Sequence, residues 1–384
     1  MSYVKIFLGT VILAMTLTAV PQELQHEAVA VNIEIPVRVF QGDDFIDNLS
    51  IRDFLVYEDG ELQVIEAVYL IKRTSIAREE KPEASQKLFA PELNRQFILV
   101  FEVLNWLPRL SEALDYFFYY VYEPGDELIV TTPVTTYKLT DKKIQTELKG
   151  RLSDELKAKL RRDINIGSME YKSMIRDMWS LEGIEGGAEV NVGSLQSDLY
   201  RQLRDYKFFD EKKMLGVSDY LKSLSGQKHV FLFYQKEQVP VPRGIGQPER
   251  LQFFELFKHV SFDVSRIKQT FSDSTISTHF LFLTNNVNSP VDVESIDGQN
   301  LGQADISADI FSAFNEIATT TGGLVISSAN PYAAFRKASD ASQNYYLLYY
   351  TPKDYASDGK FRNIRVEVKG KKYKVLHRAG YLAD

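Results

Sequence analysis

The sequence predicts an α/β fold in which a doubly wound, mostly parallel sheet is inserted in a β-sandwich formed from both chain ends. Residues 97–101 are five consecutive apolar residues, which is typical of a parallel strand buried on both faces. Strand and helix patterns then alternate to about residue 342. The strand patterns outside this region have no parallel neighbours to join, so we expect the two chain ends to pair with each other.

Composition restricts the class of protein. The chain has 384 residues, 44% of them hydrophobic and 25% charged, which is ordinary for a globular protein of about two domains. The formal net charge of −7 provides no basic surface for phosphate neutralisation. Nucleic acid is therefore excluded as the expected partner.

Residues 1–20 are typical of a signal peptide. Lys5 precedes the uncharged residues 6–20, a stretch shorter than the roughly 20 residues that span a bilayer. Cleavage is expected after Ala19 or, as an alternative, after Ala30. The chain has no cysteine, so it has no site for a lipoprotein anchor and no disulfide. We expect a periplasmic or extracellular protein without a membrane span in the mature chain.

Residues 26–73 are predicted to form an antiparallel β module. Residues 31–39 alternate between apolar and polar side chains, and Asp59-Gly60 predicts a hairpin. Asp43, Asp44 and Asp47 lack the spacing of a calcium loop, so a hairpin loop is the better interpretation. The polar residues 74–92, with Pro82, predict a linker.

Residues 93–341 are predicted to form the α/β domain. Its strand patterns are at residues 97–103, 127–132, 135–139 (an antiparallel edge), 229–234, 277–283 and 324–327. Its helix patterns are at residues 110–121, 142–181 with a break at 165–168, 195–221, 253–271, 306–317 and from Pro331, which Asn330 caps. Strands at residues 345–350, 361–368 and 373–377 then complete the sandwich, which consists of residues 26–73 plus 342–384.

Two runs of sequence carry a family resemblance. Residues 49–60 follow the pattern Leu-x-x-x-Asp-Phe-x-Val-x-Glu-Asp-Gly, with Leu55-Val56-Tyr57 inside it, and the chain closes with residues 346–352 and Arg378-Ala379-Gly380-Tyr381. This sequence resembles the bacterial exported VWFA-related family. The resemblance implies a von Willebrand factor type A-like domain, in which Mg²⁺ is held by Asp-x-Ser-x-Ser in a first loop, Thr in a second and Asp in a third.

The metal-ion-dependent adhesion site that the resemblance implies is degenerate in this chain. The matching positions are Glu102, Leu104, Trp106, Ser168 and Gln235. One carboxylate, one hydroxyl and one amide do not form the hard oxygen shell that Mg²⁺ requires. We therefore predict no metal and no other cofactor.

An apolar contact surface is the hypothesis that replaces the metal. Ligands of open α/β sheets lie beyond the carboxyl ends of the strands, where Leu104, Trp106 and Leu107 form an apolar run. The predicted partner-binding residues are Leu104, Asn105, Trp106 and Gln235, and the loop 235–250 is expected to border them.

The predicted function is a metal-independent protein-interaction module with an unknown protein partner. The histidines are scattered and no catalytic motif is present, so we predict that the chain is not an enzyme. The alternatives are a divalent-metal-dependent adhesion domain with a non-standard site at Glu102 and, as a further alternative, an unrecognised hydrolase.

Overall fold

A computed structural model describes residues 31–83, 89–139, 148–182, 201–202, 211–242, 260, 262–285, 301–370 and 372–384. A single compact unit comprises Asn32–Asp384. The strands are β1 Ile33–Gln41, β2 Asp44–Phe45, β3 Phe54–Glu58, β4 Glu61–Gln63, β5 Ile65–Lys72, β6 Ser75–Glu80, β7 Arg95–Glu102, β8 Glu127–Thr131, β9 Thr136–Leu139, β10 Gln227–Gln235, β11 Gln238–Pro242, β12 Ile276–Leu283, β13 Leu301–Asp305, β14 Val325–Ser328, β15 Asn344–Tyr350, β16 Phe361–Val368, β17 Lys374–His377 and β18 Gly380–Leu382. The helices are α1 Leu110–Tyr116, which continues as a π-helical turn over Phe117–Val121, α2 Lys149–Glu182, α3 Glu211–Lys222, α4 Val264–Asp273, α5 Ala308–Thr320 and α6 Pro331–Gln343.

The predicted doubly wound sheet is confirmed. Its strand order is β14-β12-β10-β7-β8-β9, parallel throughout except for the antiparallel edge strand β9. Residues alternate along β7, so Phe97, Leu99 and Phe101 pack against α1, α2 and α6, while Ile98 packs with α3, α4 and α5 on the other face. Helices therefore cover both faces, as the apolar run predicts.

The two antiparallel sheets combine strands from both chain ends, as predicted. One has the order β17-β1-β15-β5-β6 with β2 on β1, and the other has the order β18-β16-β3-β4. One face of β15 packs toward the second sheet, where the ring centroids of Tyr346 and Phe54 are 5.0 Å apart. The other face carries Tyr345 and Tyr349, and Arg38, which lies beside Tyr345, donates a hydrogen bond to Ser277 of β12 in the parallel sheet.

Three sequence predictions need correction. The polar residues 75–80 of the predicted linker form β6, an edge strand on β5, because an edge strand needs no apolar alternation. The helix α2 runs through residues 165–168 without the predicted break, since one glycine inside a long helix is tolerated. Residues 238–242 of the predicted loop form β11, which pairs with β13.

Candidate functional site

The carboxyl edge of the parallel sheet is the candidate site. Glu102 is the last residue of β7, is half-buried and lies beside Tyr234 of β10 in the strand register. Tyr234 is fully buried, and its pKa is raised well above its ordinary value by burial and by the carboxylates of Glu237 and Glu102. The retained acid thus lies next to a neutral phenol at the end of the sheet.

Gln235 connects three loops at this edge. Its side chain is fully buried, and Oε1 accepts hydrogen bonds from the backbone N–H groups of Leu104 at 2.9 Å and Asn105 at 3.2 Å. Its Nε2 donates to the carbonyl of Asn285 at 3.1 Å. The resemblance places an Asp metal ligand at this position, and here a neutral amide joins the loops that follow β7, β10 and β12.

A second buried group lies next to Gln235. Glu237 is 1% exposed, and its carboxylate accepts hydrogen bonds from Tyr234 Oη at 2.6 Å and Tyr171 Oη at 3.3 Å. Burial and the charge of Glu237 raise the pKa of Tyr171 well above its ordinary value. This cluster attaches α2 to the end of β10, and no local pattern in the sequence pointed to it.

Ser168 lies on α2 rather than in a loop. It is buried one helical turn before Tyr171, because the helix continues where the sequence predicted a break. Its hydroxyl is therefore fixed by a rigid helix and not by a loop that adapts to an ion.

The residues at this edge do not fit the metal of the resembling family. Leu104 is apolar and buried, Trp106 has no oxygen, and Gln235 Oε1 already accepts two backbone N–H groups. Within the described ranges, no three residues among histidine, cysteine, aspartate and glutamate come together as a metal site.

The predicted apolar patch is only partly at the surface. Leu104 and Leu107 are 1% and 3% exposed and belong to the core, and Gln235 is buried as well. Asn105 and Trp106 are half-buried and remain available. Trp106 packs on the core with one side of its ring, and the guanidinium of Arg161 lies 5.7 Å from its centroid.

Exposed arginines extend this surface, and the sequence prediction missed them. The guanidinium of Arg109, which has a left-handed backbone conformation, lies 5.0 Å from the ring centroid of Tyr332, and that of Arg336 lies 5.6 Å from it. Both arginines are exposed, and Tyr332 is half-buried at the start of α6. The run Asn330-Pro331-Tyr332, which follows β14, predicts a helix cap. Nothing in that pattern indicates that Tyr332 lies beside two arginines. We call Asn105, Trp106, Arg109, Arg161, Tyr332 and Arg336 the arginine–aromatic rim.

A carboxylate near this edge is used in packing. Asp163 of α2 is fully buried and accepts hydrogen bonds from Thr132 Oγ1 at 3.0 Å and Tyr137 Oη at 2.7 Å. These hydrogen bonds connect α2 to the end of β8 and to β9. The carboxylate of Asp163 therefore accepts its hydrogen bonds from groups within the chain.

The described histidines lie away from this rim. His229 and His279 are buried in the amino-terminal halves of β10 and β12, and His377 lies on β17. The predicted signal peptide, His26, His259 and residues 243–250 of the predicted bordering loop lie outside the described residues. No helix in the described part of the chain has a segment long and apolar enough to cross a bilayer.

The surface of the arginine–aromatic rim combines aromatic rings with cationic side chains. It presents two aromatic rings and three exposed guanidiniums above a base of buried neutral hydrogen bonds.

A comparison of the chain with models of protein families finds no match, and a comparison with curated proteins finds none either.

Proposed function

We propose that this chain is an exported protein-interaction module that uses a metal-independent von Willebrand factor A-like domain. The observation that carries the proposal is the buried amide of Gln235, whose Oε1 accepts from two backbone N–H groups of the loop after β7. This contact holds the loop by a hydrogen bond within the chain, so the rim is preorganised without an ion.

The arginine–aromatic rim supports a protein as the partner. Tryptophan, tyrosine and arginine are enriched at interfaces, where their rings and planar guanidiniums bury large areas at low entropy cost. Arg109, Arg161 and Arg336 are exposed and lie over the rings of Tyr332 and Trp106. Carboxylates on the partner are the groups that the guanidiniums of Arg161 and Arg336 recognise, while that of Arg109 is also paired with Glu112 within the chain.

The test is capture of protein partners from the compartment into which the chain is exported. The purified full chain is immobilised and exposed to a periplasmic extract in parallel samples with Mg²⁺ or with EDTA, and bound proteins are identified by mass spectrometry. The same bound protein is expected in both samples, because no ion takes part in the contact.

Variants separate the rim from other exposed surfaces. Trp106→Ala and Arg109→Ala are expected to reduce capture at least about tenfold, as for hot-spot residues. Tyr119→Ala removes an aromatic side chain that is 54% exposed elsewhere on the molecule and is expected to leave capture unchanged. Capture that requires Mg²⁺, or capture that survives both rim substitutions, contradicts the proposal.

A further inference from the structure

Five buried side chains meet where an antiparallel sheet covers the amino edge of the parallel sheet. Arg38 of β1 and Tyr345 of β15 come from the antiparallel sheet, and the guanidinium of Arg38 lies 5.9 Å from the centroid of the Tyr345 ring. Arg95, His229 and His279 come from β7, β10 and β12 of the parallel sheet. We call these five residues the arginine–histidine cluster; each is at most 1% exposed.

Arg38 is a buried cation whose hydrogen bonds are incomplete. Its Nη1 donates to Ser277 Oγ at 3.4 Å and to the carbonyl of Gly322 at 3.2 Å. Its Nε and Nη2 have no partner among the described residues. Burial lowers the pKa of this guanidinium to about 10, and Tyr345 is the titratable group that opposes the shift.

The other members of the cluster add further donors. The Nδ1 of His279 accepts from the backbone N–H of Leu324 at 3.3 Å, so the neutral ring carries its proton on Nε2. That Nε2, Arg95 Nη1, Tyr345 Oη and both ring nitrogens of His229 are buried, and the described residues offer none of them a hydrogen-bond partner. The cluster therefore contains far more unused donors than acceptors.

The charge of the five residues is also unbalanced. Burial and the carboxylate of Glu34 raise the pKa of Tyr345, but Glu34 accepts its own hydrogen bonds from Tyr349 Oη and Gln227 Nε2. Arg95 is paired with Asp126, whose two carboxylate oxygens accept from Arg95 Nε at 2.9 Å and Nη2 at 2.6 Å. Within the described residues, no carboxylate pairs with Arg38. Burial and the charges of Arg38 and Arg95 lower the pKa of His229 well below its ordinary value. A buried charge without a counter-charge is unfavourable, and an anion is the group that satisfies both the charge and the donors.

We propose that the arginine–histidine cluster binds one small inorganic anion of halide size, chloride in particular, between the two sheets. This site is separate from the arginine–aromatic rim and goes beyond the proposed function. A metal cation is disfavoured because the cluster offers guanidinium, imidazole and phenol donors around a net positive charge. Phosphate and organic anions are disfavoured because aromatic rings and both sheets enclose the donors, as in the 5.6 Å stack of Phe97 on His229.

The test is the dependence of thermal unfolding on chloride at constant ionic strength. The full chain is freed of halide by unfolding and refolding in sodium gluconate, whose anion is too large for the cluster, and gluconate is then replaced stepwise by chloride. The unfolding midpoint is expected to rise with the logarithm of the chloride concentration above the dissociation constant, because an ion that binds only the folded state stabilises it. A midpoint that does not change overturns the proposal and leaves buried water as the partner of Arg38.

Two tyrosine variants make the test specific. Tyr345→Phe removes only an unpartnered hydroxyl, so the chain is expected to fold and to bind chloride about tenfold or more weakly. Tyr346→Phe is the matched control, since its hydroxyl accepts from the N–H of Leu49 at 3.1 Å on the other face of β15. That variant is expected to unfold at a lower temperature with the chloride dependence of the wild type.

Bromide locates the ion directly. Crystals grown in sodium bromide are expected to show one anomalous peak within hydrogen-bonding distance of Arg38 Nε or Nη2 and of Tyr345 Oη. A chloride dependence that is identical in wild type and Tyr345→Phe, or the lack of an anomalous peak in the cluster, overturns the proposal.

Discussion

At the carboxyl edge of the parallel sheet, the buried side chain of Gln235 joins three loops through neutral hydrogen bonds. At the amino edge, two buried guanidiniums lie beside two imidazole rings, and of the two only Arg95 has a carboxylate partner in the part of the chain that the structure describes. At the carboxyl edge, the side chain of Gln235 has hydrogen-bond partners within the chain, and the arginines lie at the surface, where water solvates them. The second edge keeps its arginines inside, where each charge needs a partner. The comparison leads us to expect that a buried polar side chain at a strand end stabilises this fold only where its hydrogen bonds are matched.

The largest expected effect is at the amino edge. Asp126→Asn keeps the shape of the side chain and removes the counter-charge of Arg95, which leaves an uncompensated buried cation. We expect a loss of about 3–5 kcal/mol in the free energy of unfolding, measured by denaturant titration.

An exposed ion pair provides the control for Asp126→Asn. Glu112→Gln removes the partner of Arg109, where both side chains are about half exposed, and is expected to cost less than about 1 kcal/mol. The double variant Arg95→Met with Asp126→Leu is expected to recover most of the stability. Equal losses for Asp126→Asn and Glu112→Gln would remove the distinction between the two edges.

The next effect is at the carboxyl edge. Gln235→Leu leaves the N–H groups of Leu104 and Asn105 and the carbonyl of Asn285 without their partner. We expect a loss of about 2–3 kcal/mol, because unsatisfied buried polar groups keep their desolvation cost. Asn105→Ala, which retains the backbone N–H, is the control and is expected to change the stability by less than about 0.5 kcal/mol. A Gln235→Leu variant with the same free energy of unfolding as the wild type would show that the amide does not hold the loops.

The smallest expected effect depends on pH. The pKa of His229 is lowered in the folded chain, so below about pH 6.5 the unfolded chain takes up a proton that the folded chain does not. Stability is therefore present above this pH and is lost as the pH falls, by at most about 1.4 kcal/mol per pH unit for one histidine.

His229→Phe isolates this contribution. Phenylalanine fits between Phe97 and Phe231, whose ring centroids lie 5.6 Å and 6.5 Å from that of His229. At pH 8 the variant and the wild type are expected to differ by a constant amount. At pH 5, in buffer free of halide, the variant is expected to gain stability relative to that difference, by at most about 2 kcal/mol for one histidine. Parallel stability curves between pH 8 and pH 5 would show that His229 does not titrate on unfolding.

The sequence predicts the architecture because its strongest patterns are local. The apolar run 97–101 in β7 and the cap formed by Asn330 and Pro331 have their expected structures, and the register of β15 joins the two chain ends. Predictions from local sequence patterns fail where tertiary contacts override the local structural preference of the residues. In β6 the polar residues occupy an edge strand, and in β11 two prolines occupy a two-stranded ribbon.

The sites were less predictable than the fold. Gln235 was identified from its position in a motif, but its burial and its three contacts depend on loops from distant parts of the sequence. Arg38 alternates with apolar residues in β1 and therefore resembles an ordinary residue on a solvent-facing strand surface. That surface is covered by the parallel sheet, and the residues of the cluster are separated by up to about three hundred positions, so no local pattern reveals them.

The pairing of β1 with β15 and of β3 with β16 makes the first strands of the chain dependent on the last ones. During synthesis, β1 and β3 emerge long before their partners exist, so loop closure must span the entire parallel sheet before either antiparallel sheet forms. A chain that ends before residue 344 therefore lacks the central strand between β1 and β5 and leaves both with open edges. Until β15 is made, we expect these open edges to be sites where one chain can pair with another and aggregate.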